Sequence, residues 1–377
     1  MGNSNRKTKQ KNSHPVQLTL AADIGGSGLK AIYASDDGKI GSLFMEPEVI
    51  AVPKAAIDDL LQNNLGVCEP TNAAWVGFGG KYAAVGYLAA SRFYANAGLG
   101  ELKYERGLYK ILATVWVLAQ KLKLSNCFKL DLAVLLPASE YESRKKFEHI
   151  LRSLLKNYET PTGNMSLELG RFNCYPEGAG VFLLHSKRVG VAIGQRKSAI
   201  IMIGYRNASV LVSYRGALDS GKTSDLGMVR MIETVMTKTS GLSESDLCRT
   251  IVASGYDINP TPLYKLTHST TVSARNEEVT ALVTAIKEAR NLYMATLISW
   301  LNNVVPRDVD EIVFCGGTAD YLKKELNSRY SSTPCIWHGG VVVPDAVDMY
   351  KLGTRLTDAY GMFLYFMSGS SSVDEVA

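Results

Sequence analysis

Residues 23–30 read Asp-Ile-Gly-Gly-Ser-Gly-Leu-Lys and join two apolar runs, residues 16–24 and 29–34. Each run has the length and apolar content of a buried β-strand. The glycines between the runs predict a tight turn. The chain therefore opens with a β-hairpin, which differs from the strand–turn–helix of a P-loop or of a Rossmann unit.

The chemistry of this turn suits phosphate. Phosphate oxygens need several donors at close range, and a glycine turn supplies backbone N–H groups with no side chains in the way. The candidate phosphate-binding residues are Gly25, Gly26, Ser27, Gly28 and Lys30. Asp23, at the end of the strand, is a candidate for holding a hydrated Mg2+ ion. The alternative is a plain glycine hairpin with an acidic residue at the strand end.

A second candidate motif is the stretch Tyr-Pro-Glu-Gly-Ala-Gly at residues 175–180. Here a strand ends, a proline fixes the turn, and Glu177 stands at a predicted helix start. Hydrolysis of a phosphoanhydride needs a positioned water and compensated charge, and a glutamate at such a corner can orient that water. The alternative is that Glu177 only complements the helix dipole.

A third candidate motif lies at residues 312–318, Ile-Val-Phe-Cys-Gly-Gly-Thr. A buried strand ends in Gly316 and Gly317, which lets the backbone approach a flat ligand such as adenine. Thr318 follows at the start of a predicted helix. The alternative is that Thr318 simply caps that helix.

The rest of the chain predicts two similar halves. A second hairpin is expected at residues 198–214, and strand–helix units follow each hairpin. Residues 53–102 show no steady period. Two α/β domains with a cleft between them are the natural reading. Further strands are expected within 39–52 and at 129–136, 166–174 and 311–314, and helices at 104–124, 140–156, 177–184, 224–238, 244–253, 276–303, 319–330 and 345–367.

Composition narrows the class of protein. The formal net charge is +5, but Arg6, Lys7, Lys9 and Lys11 lie in a tail without acids. The nearly neutral remainder argues against direct nucleic-acid binding. The six cysteines are scattered without a CxxC pair, which favours a reducing cytoplasm over a disulfide framework or a zinc site. No signal peptide and no apolar run of about 18 residues is visible, so no transmembrane segment is expected.

Together the three motifs resemble those of the actin-like ATPase superfamily, and within it the ParM-like plasmid-segregation actins. Residues 23–30 resemble the first phosphate motif, residues 176–178 the segment with the catalytic glutamate, and residues 314–317 the adenosine motif. A helix opening at Lys103-Tyr104-Glu105 and a last helix with Gly353-Thr354-Arg355 match in kind and order. The resemblance spans residues 17–367.

The resemblance implies an actin-like α/β fold, with duplicated ribonuclease H-like domains and a nucleotide cleft between them. We expect domain I over 16–185 and 345–367, with a small insertion at about 36–100, domain II over 186–344, and disordered tails at 1–15 and 368–377. The implied cofactors are ATP or ADP and Mg2+, with Glu177 catalytic. The implied activity is ATP hydrolysis coupled to filament assembly in the cytoplasm, with cargo such as plasmid DNA held through a small DNA-binding adaptor protein.

One departure from the family pattern concerns the second hairpin. Gly204 stands where an aspartate is expected. Asn207 and Ser209 remain candidate phosphate donors, and Arg206 can supply charge. The missing carboxylate leaves two alternatives, slow hydrolysis or a different way of holding the metal.

Two rival functions stay open. One is a scaffold filament with weak ATPase activity that shapes the cell, which the Gly204 departure favours. The other is a small-molecule kinase of the same superfamily, because Asp-Ile-Gly-Gly-Ser also begins such enzymes. A kinase needs an aspartate base facing a substrate hydroxyl, and the sequence shows no such pattern.

Overall fold

A computed structural model describes residues 16–63, 68–219 and 221–369. The expected tail at 1–15 and residues 370–377 of the expected C-terminal tail lie outside the described residues.

The N-terminal half builds one nine-stranded sheet. Its strands are β1 (Val16–Gly25), β2 (Gly28–Ser35), β3 (Ile40–Met45), β4 (Val49–Val52), β5 (Trp75–Phe78), β6 (Lys81–Val85), β7 (Cys127–Leu136), β8 (Tyr158–Thr160) and β9 (Gly163–Pro176). The order is β3-β2-β1-β7-β9-β8-β5-β6-β4. β1 runs parallel to β7, and β7 parallel to β9. Because parallel strands end at one edge of a sheet, Asp23 near the end of β1 and Glu177 just after β9 reach the same edge.

The C-terminal half builds a second sheet. Its strands are β10 (Lys197–Ile203), β11 (Ala208–Tyr214), β12 (Ala217–Leu218), β13 (Lys222–Ser224), β14 (Glu311–Cys315) and β15 (Cys335–Trp337). The order is β12-β11-β10-β14-β15, with β13 also on β11. β10 and β11 form the second predicted hairpin, and β10 runs parallel to β14. This repeats the β2-β1-β7 arrangement of the first sheet.

Helices cover both sheets. Those in the described residues are α1 (Lys54–Asn63), α2 (Tyr87–Phe93), α3 (Lys103–Leu122), α4 (Arg144–Leu155), α5 (Ala179–Val189), α6 (Met228–Met236), α7 (Glu244–Ser254), α8 (Val272–Val304), α9 (Gly317–Tyr321), α10 (Lys323–Arg329) and α11 (Thr357–Met367). The apolar face of α3 packs with the first sheet, and that of α8 with the second. Each half therefore has its own core.

Helices α5 and α11 cross with their backbones in contact. A Cβ atom built on Gly180 would lie 2.1 Å from the carbonyl oxygen of Asp358, and one on Gly361 would lie 2.3 Å from the carbonyl oxygen of Gly180. Only glycine fits at such a crossing. The crossing fixes α11 against the start of α5, immediately beyond Glu177.

A buried hydrogen-bonded contact ties α5 to the second sheet. His185 Nε2 lies 2.7 Å from Glu311 Oε1 at the start of β14, and the same oxygen accepts a hydrogen bond from Ser198. Arg196 pairs with the other Glu311 oxygen at 2.6 Å. His185 and Glu311 are only 1 % and 2 % exposed. A buried polar network of this kind fastens α5 to the second sheet.

Most predicted elements are confirmed, and three regions differ. The expected helix at 345–367 is wrong before residue 357, because Lys351 and Gly353 have positive φ angles and Asp348 accepts the backbone N–H of Leu352 and Gly353. The helix expected at 319–330 breaks at Leu322 into α9 and α10. The expected helix at 140–156 begins later, after a 3-10 turn at Ala138–Ser143.

Candidate functional site

A buried ionic cluster lies at the carboxyl edge of the first sheet. Lys30 Nζ lies 2.5 Å from Asp23 Oδ2, and Lys103 Nζ lies 3.4 Å from Asp23 Oδ1. Lys103, in the first turn of α3, also pairs with Glu177. All four side chains are buried. The structure thus brings the predicted metal residue, a predicted phosphate residue and the predicted catalytic residue into one cluster.

The charges of this cluster compensate one another. Burial favours the neutral form of Asp23, but Lys30 and Lys103 outweigh it and lower the pKa of Asp23 to about 2. Burial likewise opposes the charge on Lys103, while Glu177 and Asp23 outweigh it and raise the Lys103 pKa. Asp23 and Lys103 therefore stay ionised at neutral pH, as an ion pair in a protein interior requires.

A further lysine lies beneath the glycine turn. Lys110 is 5 % exposed, and its ammonium lies 3.5 Å from the carbonyl oxygen of Gly25. Burial and the charges of Lys103 and Arg106 lower the pKa of Lys110 to about 7, against weaker attraction from Glu48. Among the described residues, no carboxylate lies within 4.0 Å of it. A negative ligand near Gly25 would favour its charged form.

The two hairpins meet across the cleft. We call residues 23–30 hairpin I and residues 203–209 hairpin II. A Cβ atom built on Gly26 would lie 3.1 Å from Arg206 Cβ and 3.1 Å from Leu99 Cδ2. Arg206 Nη1 in turn lies 3.5 Å from Glu140 Oε1, in the 3-10 turn after β7. The tips of both hairpins therefore face one another, as expected of two motifs that share one ligand.

The third motif joins the same region. The hydroxyl of Thr318 donates to the carbonyl of Gly204 in hairpin II, 2.8 Å away, so it does not cap α9. Gly316 has φ +97°, and a Cβ atom there would lie 2.3 Å from the carbonyl oxygen of Ile203. No other residue fits this close approach of β14 to β10.

Arg355 links the third motif to hairpin I. Its Nη2 lies 3.3 Å from Ser27 Oγ, and its Cγ would lie 3.5 Å from a Cβ on Gly317. Burial lowers the pKa of Arg355, and Asp23 partly offsets this. Arg355 therefore connects the tip of hairpin I with the Gly316-Gly317 turn.

Two predicted donors in hairpin II have structural partners. The carbonyl of Asn207 accepts the backbone N–H of Gly204 at 2.9 Å and closes the turn. The Ser209 hydroxyl lies 3.1 Å from that of Thr223 in β13, and Ser209 is 2 % exposed. Their roles toward a ligand stay predictions.

Sequence reasoning did not assign Lys103, Lys110, Arg355 or Asp358 to the site. A weak signal existed for the two lysines, because they stand seven residues apart and therefore on one face of a helix whose middle is apolar. Arg355 and Asp358 come from a segment more than 300 residues away from hairpin I, so no local pattern could place them.

The site fits a polyphosphate. Five cationic side chains contact hairpin I or its neighbouring carboxylates: Lys30, Lys103, Lys110, Arg206 and Arg355. Three carboxylates pair with them: Asp23, Glu140 and Glu177. This cluster of cationic side chains beside a glycine turn suits a polyanionic group.

No helix of the described residues is both long enough and apolar enough to cross a membrane.

Of the comparisons with known proteins, only the one with solved structures found similar proteins. No protein-family model matches the chain, and no curated protein matches it in sequence. Solved structures match over most of its length. A 15-stranded ParM filament from Clostridium botulinum superposes with a TM-score of 0.60 at 15 % identity, over 94 % of this chain and 100 % of that chain.

Two further structures agree. The actin-like protein Alp7A has a TM-score of 0.65 at 15 % identity, over 94 % of this chain and 97 % of that chain. Bacillus thuringiensis ParM with ATP has a TM-score of 0.58 at 13 % identity, over 94 % of this chain and 99 % of that chain. At such identities the likeness shows the fold, and it confirms the resemblance at that level: the chain has the two-domain actin-like fold of the ParM and Alp proteins.

Proposed function

We propose that this protein binds ATP or ADP in the cleft between its two domains. The observation that carries this proposal is the convergence of hairpin I, hairpin II and the Gly316-Gly317 turn beside a cluster of cationic side chains. Hairpin I and Lys30 contact the phosphates, with Asn207 and Ser209 on the opposite side. Gly316, Gly317 and Thr318 line the adenine side.

Asp23 is the proposed protein anchor for Mg2+. Its low pKa keeps it ionised, and its position at the end of β1 faces the phosphate turn. Lys30 and Lys103 contact its two oxygens. The metal would therefore be held through water molecules, as Mg2+ commonly is.

Glu177 is the proposed group that orients the attacking water. Phosphoryl transfer depends mostly on positioning and on charge stabilisation. The backbone N–H of Glu177 donates to the carbonyl of Leu136 at 2.8 Å, so the strand ends fix the corner on which it stands. Lys103 places a positive charge beside its carboxylate.

The proposed cellular role is a cytoplasmic filament that positions or segregates cargo. Nucleotide-bound subunits would polymerise head to tail, a heterologous contact that does not close, and hydrolysis would weaken it. The likeness to a ParM filament and to Alp7A supports this assembly. The cargo would be plasmid DNA or a similar load, held through a small DNA-binding adaptor. Domain I would comprise 16–185 with 345–367, and domain II 186–344.

Electron microscopy of the negatively stained protein, with and without ATP, tests this function. We expect filaments with ATP and few without it, together with phosphate release in the absence of any added acceptor. The last result also separates a filament ATPase from a kinase. A protein that neither binds nucleotide nor forms filaments contradicts the proposal.

Two variants test the residue roles. Glu177→Ala should leave ATP binding intact and make filaments persist, so disassembly at the wild-type rate would refute the catalytic role. Asp23→Ala should remove magnesium-dependent nucleotide binding. Unchanged affinity in the presence of Mg2+ would refute the metal role.

A scaffold filament with weak hydrolysis is the second candidate. The specific observation in its favour is that the turn at residues 204–207 has no carboxylate, because Gly204 lacks a side chain. Turnover measured alongside pelleting separates the two, since a scaffold assembles with nucleotide but releases little phosphate.

A further inference from the structure

The turn of hairpin II carries a cation and no acid. Its four residues are Gly204, Tyr205, Arg206 and Asn207. The carbonyl of Gly204 accepts the hydroxyl of Thr318 and the backbone N–H of Met228, at 2.8 Å and 3.1 Å. These bonds fix the turn by its backbone. The one charged side chain that it presents is Arg206.

Arg206 lies directly over hairpin I. Its Cβ would lie 3.1 Å from a Cβ on Gly26, at the tip of the phosphate turn. Its guanidinium extends toward Glu140 of the first domain, with Nη1 3.5 Å from Oε1. Arg206 therefore spans the cleft from the second domain to the first.

The contact between Arg206 and Glu140 is loose. At 3.5 Å it is an ion pair without a good hydrogen bond. The other Glu140 oxygen accepts the backbone N–H of Tyr104 at 3.0 Å, in the first turn of α3. That helix terminus stabilises a carboxylate by itself. Glu140 would thus remain satisfied if Arg206 moved away, and the Arg206 side chain is 22 % exposed.

Two of the other cations nearby are more firmly paired with carboxylates. Lys30 contacts Asp23 at 2.5 Å, and Lys103 contacts both Asp23 and Glu177. A guanidinium also presents a planar pair of donors that matches phosphate oxygens, which an ammonium does not. Among the three cations of the site that pair with a carboxylate, Arg206 has the weakest pairing and is therefore the one suited to exchange its partner for a phosphate.

The position of Glu140 favours one of the phosphates. The turn containing Glu140 directly follows Pro137, and the backbone N–H of Glu177 donates to the adjacent carbonyl of Leu136. Arg206 thus reaches toward the Glu177 end of the site, where the bond to the terminal phosphate would be cleaved.

We propose that Arg206 binds the terminal phosphate of ATP and leaves Glu140 when it does so. This inference rests on the proposed nucleotide binding. It makes Arg206 the charge-stabilising group of hairpin II, in the turn where Gly204 supplies no carboxylate. Discrimination between ATP and ADP follows, because ADP lacks the phosphate that Arg206 contacts.

Binding of fluorescent ATP and ADP analogues to the full-length protein tests this proposal without relying on turnover. Arg206→Ala should weaken ATP binding by about 10- to 100-fold, the range for one charge-assisted hydrogen-bonding group, and weaken ADP binding much less. Arg249→Ala is the matched control, since it removes an exposed arginine of the second domain that pairs with Asp246. An unchanged ratio of ATP to ADP affinity in Arg206→Ala overturns the assignment.

A second variant covers the case in which Arg206→Ala fails to fold, as judged by circular dichroism. Glu140→Gln keeps an acceptor for the Tyr104 N–H but removes the charge that competes for Arg206. ATP should then bind more tightly, whereas equal or weaker binding overturns the proposal. If wild-type protein binds neither nucleotide, the proposed function itself fails. If wild type binds both and only the Arg206 effect is missing, the inference alone fails.

Discussion

The side-chain carboxylate of Asp358 in α11 accepts the backbone N–H of Gly178, 2.7 Å away and directly after Glu177 in the chain. Its other oxygen accepts the backbone N–H of Val181 at 3.2 Å. One carboxylate from the last helix therefore caps the first turn of α5. The same contact fixes the corner that presents Glu177 to the cleft.

The pH dependence of stability should reveal Asp358. Burial, together with the negative charges of Asp23 and Glu177, raises the pKa of Asp358 from 3.8 to about 7. The hydrogen bonds from the backbone amides of Gly178 and Val181 offset only part of this rise. Since the folded pKa lies above the unfolded value, this contribution to stability is fully present below about pH 4 and is lost as the pH rises to about 7.

Asp358→Asn should remove the loss of stability that Asp358 causes as the pH rises from about 4 to 7. Relative to wild type, the free energy of unfolding of the variant should rise by about 2–4 kcal/mol between pH 4 and pH 8. Urea denaturation at several pH values measures this difference. Parallel pH profiles for the two proteins would show that Asp358 does not titrate in this range.

The crossing of α5 and α11 should not tolerate one added methyl group. Gly180→Ala places a Cβ against the backbone of Asp358 and Met362, and backbone cannot move aside as a side chain can. We expect destabilisation of about 3 kcal/mol or more. Gly194→Ala is the matched control, because a Cβ there meets no atom within 4 Å. Equal melting temperatures for the two variants would contradict the crossing geometry.

Lys110 predicts a second pH effect, at higher pH. The pKa of Lys110 in the folded protein, about 7, lies below its ordinary value of 10.5, so the unfolded chain binds this proton more strongly. The contribution of Lys110 to the stability of the wild type should therefore increase as the pH rises from about 7 toward 10.5.

Lys110→Met should remove that rise and stabilise the protein at pH 7. The expected gain is about 1–3 kcal/mol, since a buried charge without a carboxylate partner is replaced by an apolar side chain of similar length. Lys145→Met, at an exposed position of α4, is the control and should change little. Destabilisation by Lys110→Met at pH 7 would mean that the ammonium has a stabilising partner.

The sequence predicted the fold well where local patterns are strong. The apolar runs of β1, β2, β10 and β11 each indicate a strand, and the 3.6-residue period of α3 indicates a helix. Residues 53–102 could not be assigned because they form the short elements α1, β5, β6 and α2. Such elements are too short to show the apolar periodicity of a helix or of a strand. The error at 345–356 arose because helix-compatible residues there are held in a turn by Asp348.

The candidate site was predictable only in part. Glycine turns and strand ends are local signals, and they identified hairpin I, Glu177 and the Gly316-Gly317 turn. The partners of these residues come from distant elements. Lys103 lies 80 residues from Asp23 and 74 from Glu177, so its contacts depend on how α3 packs on the sheet.

The last prediction concerns Lys103, which separates the two buried carboxylates of Asp23 and Glu177. In the Lys103→Met variant, Lys30 is the one lysine of this cluster left to compensate the charges of Asp23 and Glu177. Breaking a buried ion pair on one side strands a charge and typically costs about 3–5 kcal/mol. The double variant Lys103→Met/Glu177→Gln removes one of the stranded charges while Lys30 still pairs with Asp23, so it should recover much of that loss. Urea denaturation at pH 7 of wild type, both single variants and the double variant closes the cycle. Additive losses would mean that Lys103 and Glu177 do not stabilise one another in the folded protein.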